Sequence, residues 1–251
     1  MNHLVSIIMP TYNSSKFLKE TIEGILQQSY KNWELLITDD NSNDNTIDII
    51  NHFLKYDNRI QAFFFNKNKG PAIARNNSIK YAKGRFIAFC DSDDIWKPKK
   101  LENQVRFMLN SQVGFAFSSY EMIDEKNKFK GIVPAKPRVN YKVMLKNNYI
   151  GCSTAIYDIK VTGKIYMPEL RNRQDWGLWL KLLKITKDAY SLNEPLTSYR
   201  IRNSSISSNK VKMVKYNWLL YYKIENYSLG KSLYLLIRFI YYYLIKKIQQ
   251  K

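Results

Sequence analysis

At 251 residues the chain is long enough to bury a hydrophobic core without staples, and its two cysteines, Cys90 and Cys152, fall in apolar stretches and read as reduced core residues. The 40 Lys and Arg against 21 Asp and Glu give a formal charge of +19, which points to anionic partners: nucleic acid, phosphorylated metabolites or an anionic membrane surface. No run of about eighteen residues is free of charge, which argues against a spanning helix, and the strand-like start "MNHLVSIIMP" makes a signal peptide unexpected.

Five apolar runs read as strands buried on both faces: Val5–Met9, Glu34–Thr38, Ile60–Phe65, Phe86–Cys90 and Val113–Ser118. Helical patterns separate them. From about Lys16 to Gln28, Leu18, Ile22, Ile25 and Leu26 share one stripe behind Ser14 or Ser15 as cap. A second helix runs from about Thr46 to Leu54, capped by Asp44 or Asn45. A third follows Pro71 to Ala82 and stops at Gly84, and a fourth opens near Lys97 with Pro98 in its first turn. This alternation predicts an α/β fold, an open and mostly parallel sheet with helices on both faces. Such sheets bind ligands beyond the carboxyl ends of their strands. That rule selects "PTYNSS" from Pro10, "DDNSND" from Asp39 and "DSDD" from Asp91.

The second half is less regular. Residues 119–148 suggest a hairpin and loops, Tyr149–Tyr157 a strand, and 158–174 a mobile loop. Trp176–Ile185 resembles a helix opened by Asp175. From Val211 the composition shifts to Tyr, Leu, Ile and Lys, and between Lys210 and Lys251 nine Lys or Arg face a single acid, Glu225.

Asp-x-Asp in an exposed loop brings two carboxylates to one hard divalent cation, which prefers oxygen ligands and keeps positions open for phosphate. Asp91, Asp93 and Asp94 end a buried strand in a basic chain, which favours that reading over a plain helix cap; Asp94, before "IWKP", is explained well enough by capping. Asp39 and Asp40 sit at the tip of the second strand, where a carboxylate can accept a hydrogen bond from a nucleobase N–H, although Asp is common at strand ends. Tyr12 could stack on a base or be an ordinary packed aromatic.

The order of these segments is similar to that of the family 2 glycosyltransferases, the large inverting group with the GT-A fold. "VSIIMPTYNSSKFLKETIEGILQQSYKNWELLITDDNSNDNT" resembles the family's opening, "NKGPAIARNNSIKYAKGRFIAFCDSDDIWKPKKLE" its next block, and "QDWGLWLKLL" its Glu-Asp-x-x-x-Trp block. The resemblance runs from about residue 4 to residue 208. It implies that Pro10, Thr11, Tyr12 and Asp40 line the nucleotide pocket, with Asp40 pairing to the uracil N3–H. It implies Asp91 near ribose and metal, Asp93 as ligand to Mg²⁺ or Mn²⁺, and Arg75 near the nucleotide or bracing Asp91 or Asp93. Asp175 would be the general base, and direct attack opposite the leaving diphosphate would turn an α-linked donor sugar into a β-glycoside. The resemblance also implies a catalytic unit over residues 1–208, with a nucleotide-sugar half (1–118) and an acceptor half (119–208), followed by a tail (209–251).

Two positions depart from the family pattern. Gln174 replaces the usual Glu before the base, and one fewer negative neighbour would raise the base's pKa less. Arg202 stands where the family often has His; Arg does not ligate metal but pairs bidentately with phosphate, so Arg202, with or without Arg200, is expected to clamp the leaving diphosphate unless both are solvated loop charges. The Gln-x-x-Arg-Trp pattern of polymerising relatives is absent, which favours transfer of one sugar per encounter.

In the tail, Leu229, Leu233, Leu236, Ile237, Ile240 and Leu244 share one side of a helix and Lys231, Arg238, Tyr242 and Lys246 gather opposite. That arrangement suits an anionic bilayer interface, and competes with a helix packed on the catalytic domain or on a second protomer in a homo-oligomer. The expectation is a metal-dependent transferase using a UDP-sugar donor and a lipid-linked saccharide acceptor, in the cytoplasm at the inner-membrane surface, as in O-antigen-like polysaccharide synthesis. A non-catalytic sugar-nucleotide scaffold is the runner-up. A nucleic-acid module is disfavoured, because acids at the sheet end would repel phosphate without metal and no zinc-finger spacing or Arg-rich arm is present.

Overall fold

In the computed structural model, which describes residues 3–202 and 210–249, alternation along the strands decides the first layer of the fold. β1 (Val5–Thr11), β2 (Trp33–Asp39), β3 (Ile60–Phe64) and β4 (Phe86–Phe89) are parallel, in the order β3-β2-β1-β4. Successive side chains leave a strand on opposite faces, and here both faces end in core. Val5, Ile7 and Met9 enter one cluster while Ile8 enters the other; Leu35 and Ile37 part from Leu36 in the same way. Burial on both sides is why these strands read as unbroken apolar runs.

Helices cover both faces. α1 (Leu18–Leu26) and α2 (Thr46–Tyr56) follow β1 and β2, and α3 (Pro71–Tyr81) follows β3. α1 buries Leu18, Ile22 and Ile25 in one cluster, whereas α3 adds Ala72 and Ile79 to the other. α1 has no side-chain cap: Ser14 offers its carbonyl to the N–H groups of Phe17 and Leu18, and its hydroxyl pairs with Ser92 at 2.7 Å. At α2 it is Asp44, not Asn45, that accepts from the Thr46 N–H, at 3.1 Å. α4 (Lys100–Ser111) begins later than Lys97 because a two-residue strand, β5 (Ile95–Trp96), occupies the chain just before it.

Beyond β4 the sheet is mixed. The chain continues through β6 (Phe115–Ile123), β7 (Phe129–Val133), β8 (Arg138–Asn140), α5 (Tyr141–Met144), a 3₁₀ turn at Cys152–Thr154, β9 (Ile156–Asp158), α6 (Ile159–Thr162), α7 (Gln174–Thr186) and β10 (Asp188–Arg200). β9 inserts antiparallel between β4 and β6, and β10 runs parallel to β6, giving the order β3-β2-β1-β4-β9-β6-β10-β5 with β7 on β6 and β8 on β10. The long β10 has no counterpart in the expected elements. Pro195 and two register shifts against β6 interrupt its alternation, so the period-2 signal is lost.

Two further expectations change. Only Ile156–Asp158 of the strand anticipated over Tyr149–Tyr157 forms, after the 3₁₀ turn. Residues 158–174, expected to be a mobile loop, are packed: Asn76 donates to the Met167 carbonyl at 2.9 Å and accepts from the Met167 N–H at 2.8 Å, and Met167 is buried. A Cβ on Gly177 would stand 2.4 Å from Pro168, so α7 lies on this segment with no room to spare.

At the C-terminus, α8 (Lys210–Leu219), a π-helical turn (Leu220–Ile224) and α9 (Leu229–Gln249) form a helical pair. Leu220 and Tyr221 are fully buried, Tyr221 donates to the Leu145 carbonyl at 2.9 Å, and Glu225 pairs with Lys184 at 2.8 Å. The start of the expected tail is therefore fastened to the body. On α9, Ser232, Leu235 and Phe239 face inward, Phe239 beside Trp176, while Leu229, Leu233, Tyr234, Ile237 and Tyr241 are exposed. Leu236 and Ile240, expected on the same stripe, are half-buried; the side chains of Tyr242, Leu244 and Lys246 lie outside the described residues. Among the described residues no helix is long and apolar enough to cross a membrane.

Candidate active site

The three loops singled out by the sheet rule meet at one cavity of about 710 Å³ beyond the carboxyl ends of β1, β2 and β4. Its lining includes Pro10, Thr11, Tyr12, Asp40, Arg75, Asp91, Asp93, Asp175 and Arg202, so every residue expected to touch nucleotide, metal or acceptor faces it.

β1 and β2 deliver Thr11 and Asp39 side by side in register. Thr11 donates to Asp39 Oδ1 at 2.8 Å, and Ser42 binds both Asp39 oxygens through its N–H and hydroxyl, at 2.8 and 2.6 Å. Asp39 thus ties the two loops and is fully buried, leaving Asp40 as the acid at the cavity. Asp40 is gripped by the N–H groups of Lys69 and Gly70, each at 2.7 Å. Gly70 reaches that position with φ of 95°, a backbone conformation that L side chains rarely adopt. Tyr12 is 48% exposed, free to lie against a flat ligand rather than packed in the core.

The acidic loop after β4 divides its labour. Asp91 and Asp93 line the cavity; Asp94 does not. Asp94 is buried and accepts from the Ser153 hydroxyl at 2.5 Å and the Arg200 N–H at 3.0 Å, locking the loop to the 3₁₀ turn and β10. It caps no helix, contrary to expectation, because β5 separates it from α4. Ser153 also accepts from the Asp91 N–H at 3.0 Å, and its carbonyl receives Trp96 Nε1 at 3.0 Å.

Asp91 and Asp93 each have a guanidinium. Arg75 lies 2.5 Å from Asp91 and is almost wholly buried. Arg202 Nε lies 2.7 Å from Asp93 Oδ2. Burial pushes the Asp93 pKa up, the Arg202 charge opposes this, and Asp91 adds to it. Two carboxylates facing one cavity suit a hard divalent cation that takes its remaining ligands from phosphate and water; among the described residues no cluster of three or more His, Cys, Asp or Glu exists to hold a metal by protein ligands alone.

Arg200 and Arg202, taken together in sequence, separate in space. The Arg200 side chain has no exposure: it binds the Asp93 carbonyl at 2.8 Å and Glu20 at 2.8 Å, and reaches Asn127. It braces the acidic loop, and of the two only Arg202 sets its guanidinium against a cavity carboxylate, that of Asp93.

Asp175 stands in the first turn of α7. Burial raises its pKa, with the Trp176 N–H, Arg173 and Arg75 opposing. Its Oδ2 accepts from Asn148 Nδ2 at 2.9 Å, and Asn148 is held by the Ile150 N–H at 3.2 Å. Asn148, Ser153 and the α8 residues that line the cavity, Met213, Lys215 and Tyr216, escaped sequence reasoning. Single polar residues in irregular segments carry no periodic or motif signal. Cys152 packs against the core, as expected, and also lines the cavity; burial pushes its thiol well up.

This arrangement presents one carboxylate, Asp175, and, elsewhere in the same cavity, an acidic pair with arginines beside it. Residues 6–166 match the model of the family described as Glycosyl transferase family 2. The chain is 41% identical over 237 residues to the glycosyltransferase TuaG of Bacillus subtilis (strain 168), covering 94% of each. It is 42% identical over 218 residues to WfgD of Escherichia coli, a UDP-Glc:alpha-D-GlcNAc-diphosphoundecaprenol beta-1,3-glucosyltransferase, covering 86% of this chain and 85% of that protein. Among solved structures, S. aureus TarS 1-349 in complex with UDP-GlcNAc superposes with a TM-score of 0.74 at 22% identity, covering 94% of this chain and 71% of that one. That likeness establishes the GT-A type of fold.

Proposed function

This chain belongs to glycosyl transferase family 2 and is a glycosyltransferase, and from that premise we propose that it moves one sugar, with inversion, from a UDP-sugar to a hydroxyl of a lipid-diphosphate-linked saccharide in bacterial surface polysaccharide synthesis. The observation that carries the reading is the convergence of Asp175 with Asp40, Asp91, Asp93 and Arg202 on one cavity. The acceptor class follows the activity named for WfgD, the relative sharing 42% identity.

Pro10, Thr11, Tyr12 and Asp40 form the nucleotide end, with Tyr12 stacking on the base and Asp40 accepting from it. Asp91 and Asp93 would hold Mg²⁺ or Mn²⁺, which supplies charge neutralisation to the departing diphosphate. Arg202 turns its guanidinium to that diphosphate, and Arg75 fixes Asp91 from within the fold. Asp175 accepts the acceptor hydroxyl's proton as the new O–C1 bond forms and the bond from C1 to the UDP oxygen breaks on the opposite face. An ionised Asp175 is needed, so turnover falls as pH drops through its raised pKa.

Residues 1–118 and 119–208 serve donor and acceptor halves, and α8 closes the acceptor side with Met213 and Tyr216 at the cavity. The exposed stripe of Leu229, Leu233 and Ile237 with Tyr234 and Tyr241 lies on an anionic inner-membrane surface, holding the enzyme peripherally where a lipid-linked acceptor resides. Purified protein incubated with a panel of UDP-sugars, Mn²⁺ or Mg²⁺, and lipid-diphosphate GlcNAc or GalNAc tests the reading. Sugar transfer with stoichiometric UDP release supports it; UDP binding without transfer to any acceptor overturns it.

A further inference from the structure

The cavity holds more positive charge than its donor side employs. Arg171, Arg173 and Lys215 line it as well. None of them is in an ion pair among the described residues, whereas Arg75, Arg202 and Lys184 each have a carboxylate. The stretches whose side chains are not described, residues 1–2, 203–212 and 242–251, contain no Asp or Glu.

Arg173 is the most constrained of them. It immediately precedes the first residue of α7 with φ of 65°, a conformation uncommon for a residue with a side chain. Its Nε donates to Asn217 Oδ1 at 2.8 Å, and its guanidinium lies over the rings of Trp176 and Phe239 at 5.4 and 5.7 Å. α8 and α9 thus orient this side chain, and its terminal Nη groups make no hydrogen bond among the described residues. The setting is unfavourable for an unpaired cation. The N-terminal end of a thirteen-residue helix carries positive potential that prefers an anion, and burial opposes the guanidinium's charge more than the Asp175 carboxylate supports it. Arg171 and Lys215, both exposed, add two more cations to the lining of the same cavity. An anionic ligand in this cavity would offset that charge.

We propose that Arg171, Arg173 and Lys215 form a subsite for the diphosphate of the acceptor, separate from the donor diphosphate site at Arg202, Asp91 and Asp93. The assignment rests on the proposed transfer to a lipid-diphosphate saccharide. Arg173 is two residues from Asp175, so an anion held there lies beside the base that takes the acceptor's proton. In an acceptor whose sugar is bound directly to diphosphate, the attacking hydroxyl and the phosphates belong to one pyranose and must bind within a ring's span of each other. The donor diphosphate, by contrast, must stay with the acidic loop. Guanidinium and ammonium groups match phosphate oxygens by charge-assisted hydrogen bonds.

The test compares two synthetic acceptors on the full-length enzyme: a GlcNAc joined to an alkyl chain through diphosphate, and the same sugar as an alkyl glycoside without phosphate. In the doubly substituted R171Q/K215Q protein, and separately in R173Q, the ratio of kcat/KM for the first acceptor to that for the second should fall by about tenfold or more per charge removed, with the donor KM nearly unmoved. An equal loss on both acceptors, or a raised donor KM with an intact ratio, overturns the subsite. A second arm titrates a short-chain alkyl diphosphate into protein saturated with UDP: binding lost in R171Q/K215Q supports the subsite, and binding retained in it and in R173Q rejects it. If the wild-type enzyme transfers to neither acceptor, the transfer reading fails while this binding arm still decides the subsite.

Discussion

Asn148 Nδ2 donates to Asp175 Oδ2 at 2.9 Å, linking an irregular segment after α5 to the first turn of α7. A donor at that oxygen stabilises the ionised carboxylate, and burial pushes the other way. Asn148→Ala should therefore raise the pKa of Asp175 further and move the acid limb of the pH–rate profile to higher pH. Loss of one hydrogen bond to a charged group, about 1.5–3 kcal/mol, corresponds to a rate loss of roughly tenfold or more near that limb. A pH profile that does not move, with kcat intact, would separate Asn148 from the base.

The two neighbouring aspartates should respond differently to the same change. Asp93→Asn should abolish metal-stimulated UDP-sugar binding, measured by calorimetry with and without EDTA. Asp94→Asn should bind donor normally, because an amide oxygen can still accept from the Arg200 N–H and the Ser153 hydroxyl can accept from the amide. Equal loss in both variants would contradict the division of the acidic loop into ligand and brace.

Arg200 and Arg202 offer a parallel contrast between folding and binding. Arg200→Gln removes a fully buried guanidinium that binds Glu20, Asn127 and the Asp93 carbonyl; leaving a buried acceptor without its donor costs about 1–3 kcal/mol, visible as a lower denaturation midpoint. Arg202→Gln should leave that midpoint almost unchanged and raise the donor KM. A normal KM in Arg202→Gln would return Arg202 to the status of a counter-ion for Asp93.

The outer stripe of α9 makes a membrane prediction. Leu233 and Ile237 are 51% and 58% exposed, and neither supports the packing of Leu235 and Phe239 on the body. Leu233→Glu with Ile237→Glu should weaken binding to vesicles containing anionic lipid by about tenfold per residue or more, since burying such a side chain contributes roughly 1.5–3 kcal/mol. Transfer to a short soluble acceptor should persist. Vesicle binding equal to the wild type would exclude this face as the membrane contact.

Much of this site is legible in the sequence. Pro10, Thr11, Tyr12, Asp40, Asp91 and Asp93 lie at or just beyond the carboxyl ends of strands whose double burial leaves long apolar runs, and a parallel sheet gathers those ends along one edge. The mixed half of the sheet offers no such guide. β10 hides behind Pro195 and its register shifts, and without β10 the opposite fates of Arg200 and Arg202 could not be foreseen. Asp94 reads as a cap because its partners, Ser153 and Arg200, are 59 and 106 residues away. The tail reads as amphipathic, but composition does not reveal that Ser232, Leu235 and Phe239 supply the packed side and that α8 reaches the cavity.

The most direct test of the proposed chemistry is Asp175→Asn, assayed for UDP-sugar binding and for transfer to a lipid-diphosphate saccharide in parallel. The amide can keep the contact with Asn148 but cannot take a proton, so donor affinity should match the wild type while transfer falls by about 10²-fold or more. Transfer at an undiminished rate in that variant would contradict Asp175 as the base, and with it the account of this cavity as the place where the acceptor hydroxyl is activated.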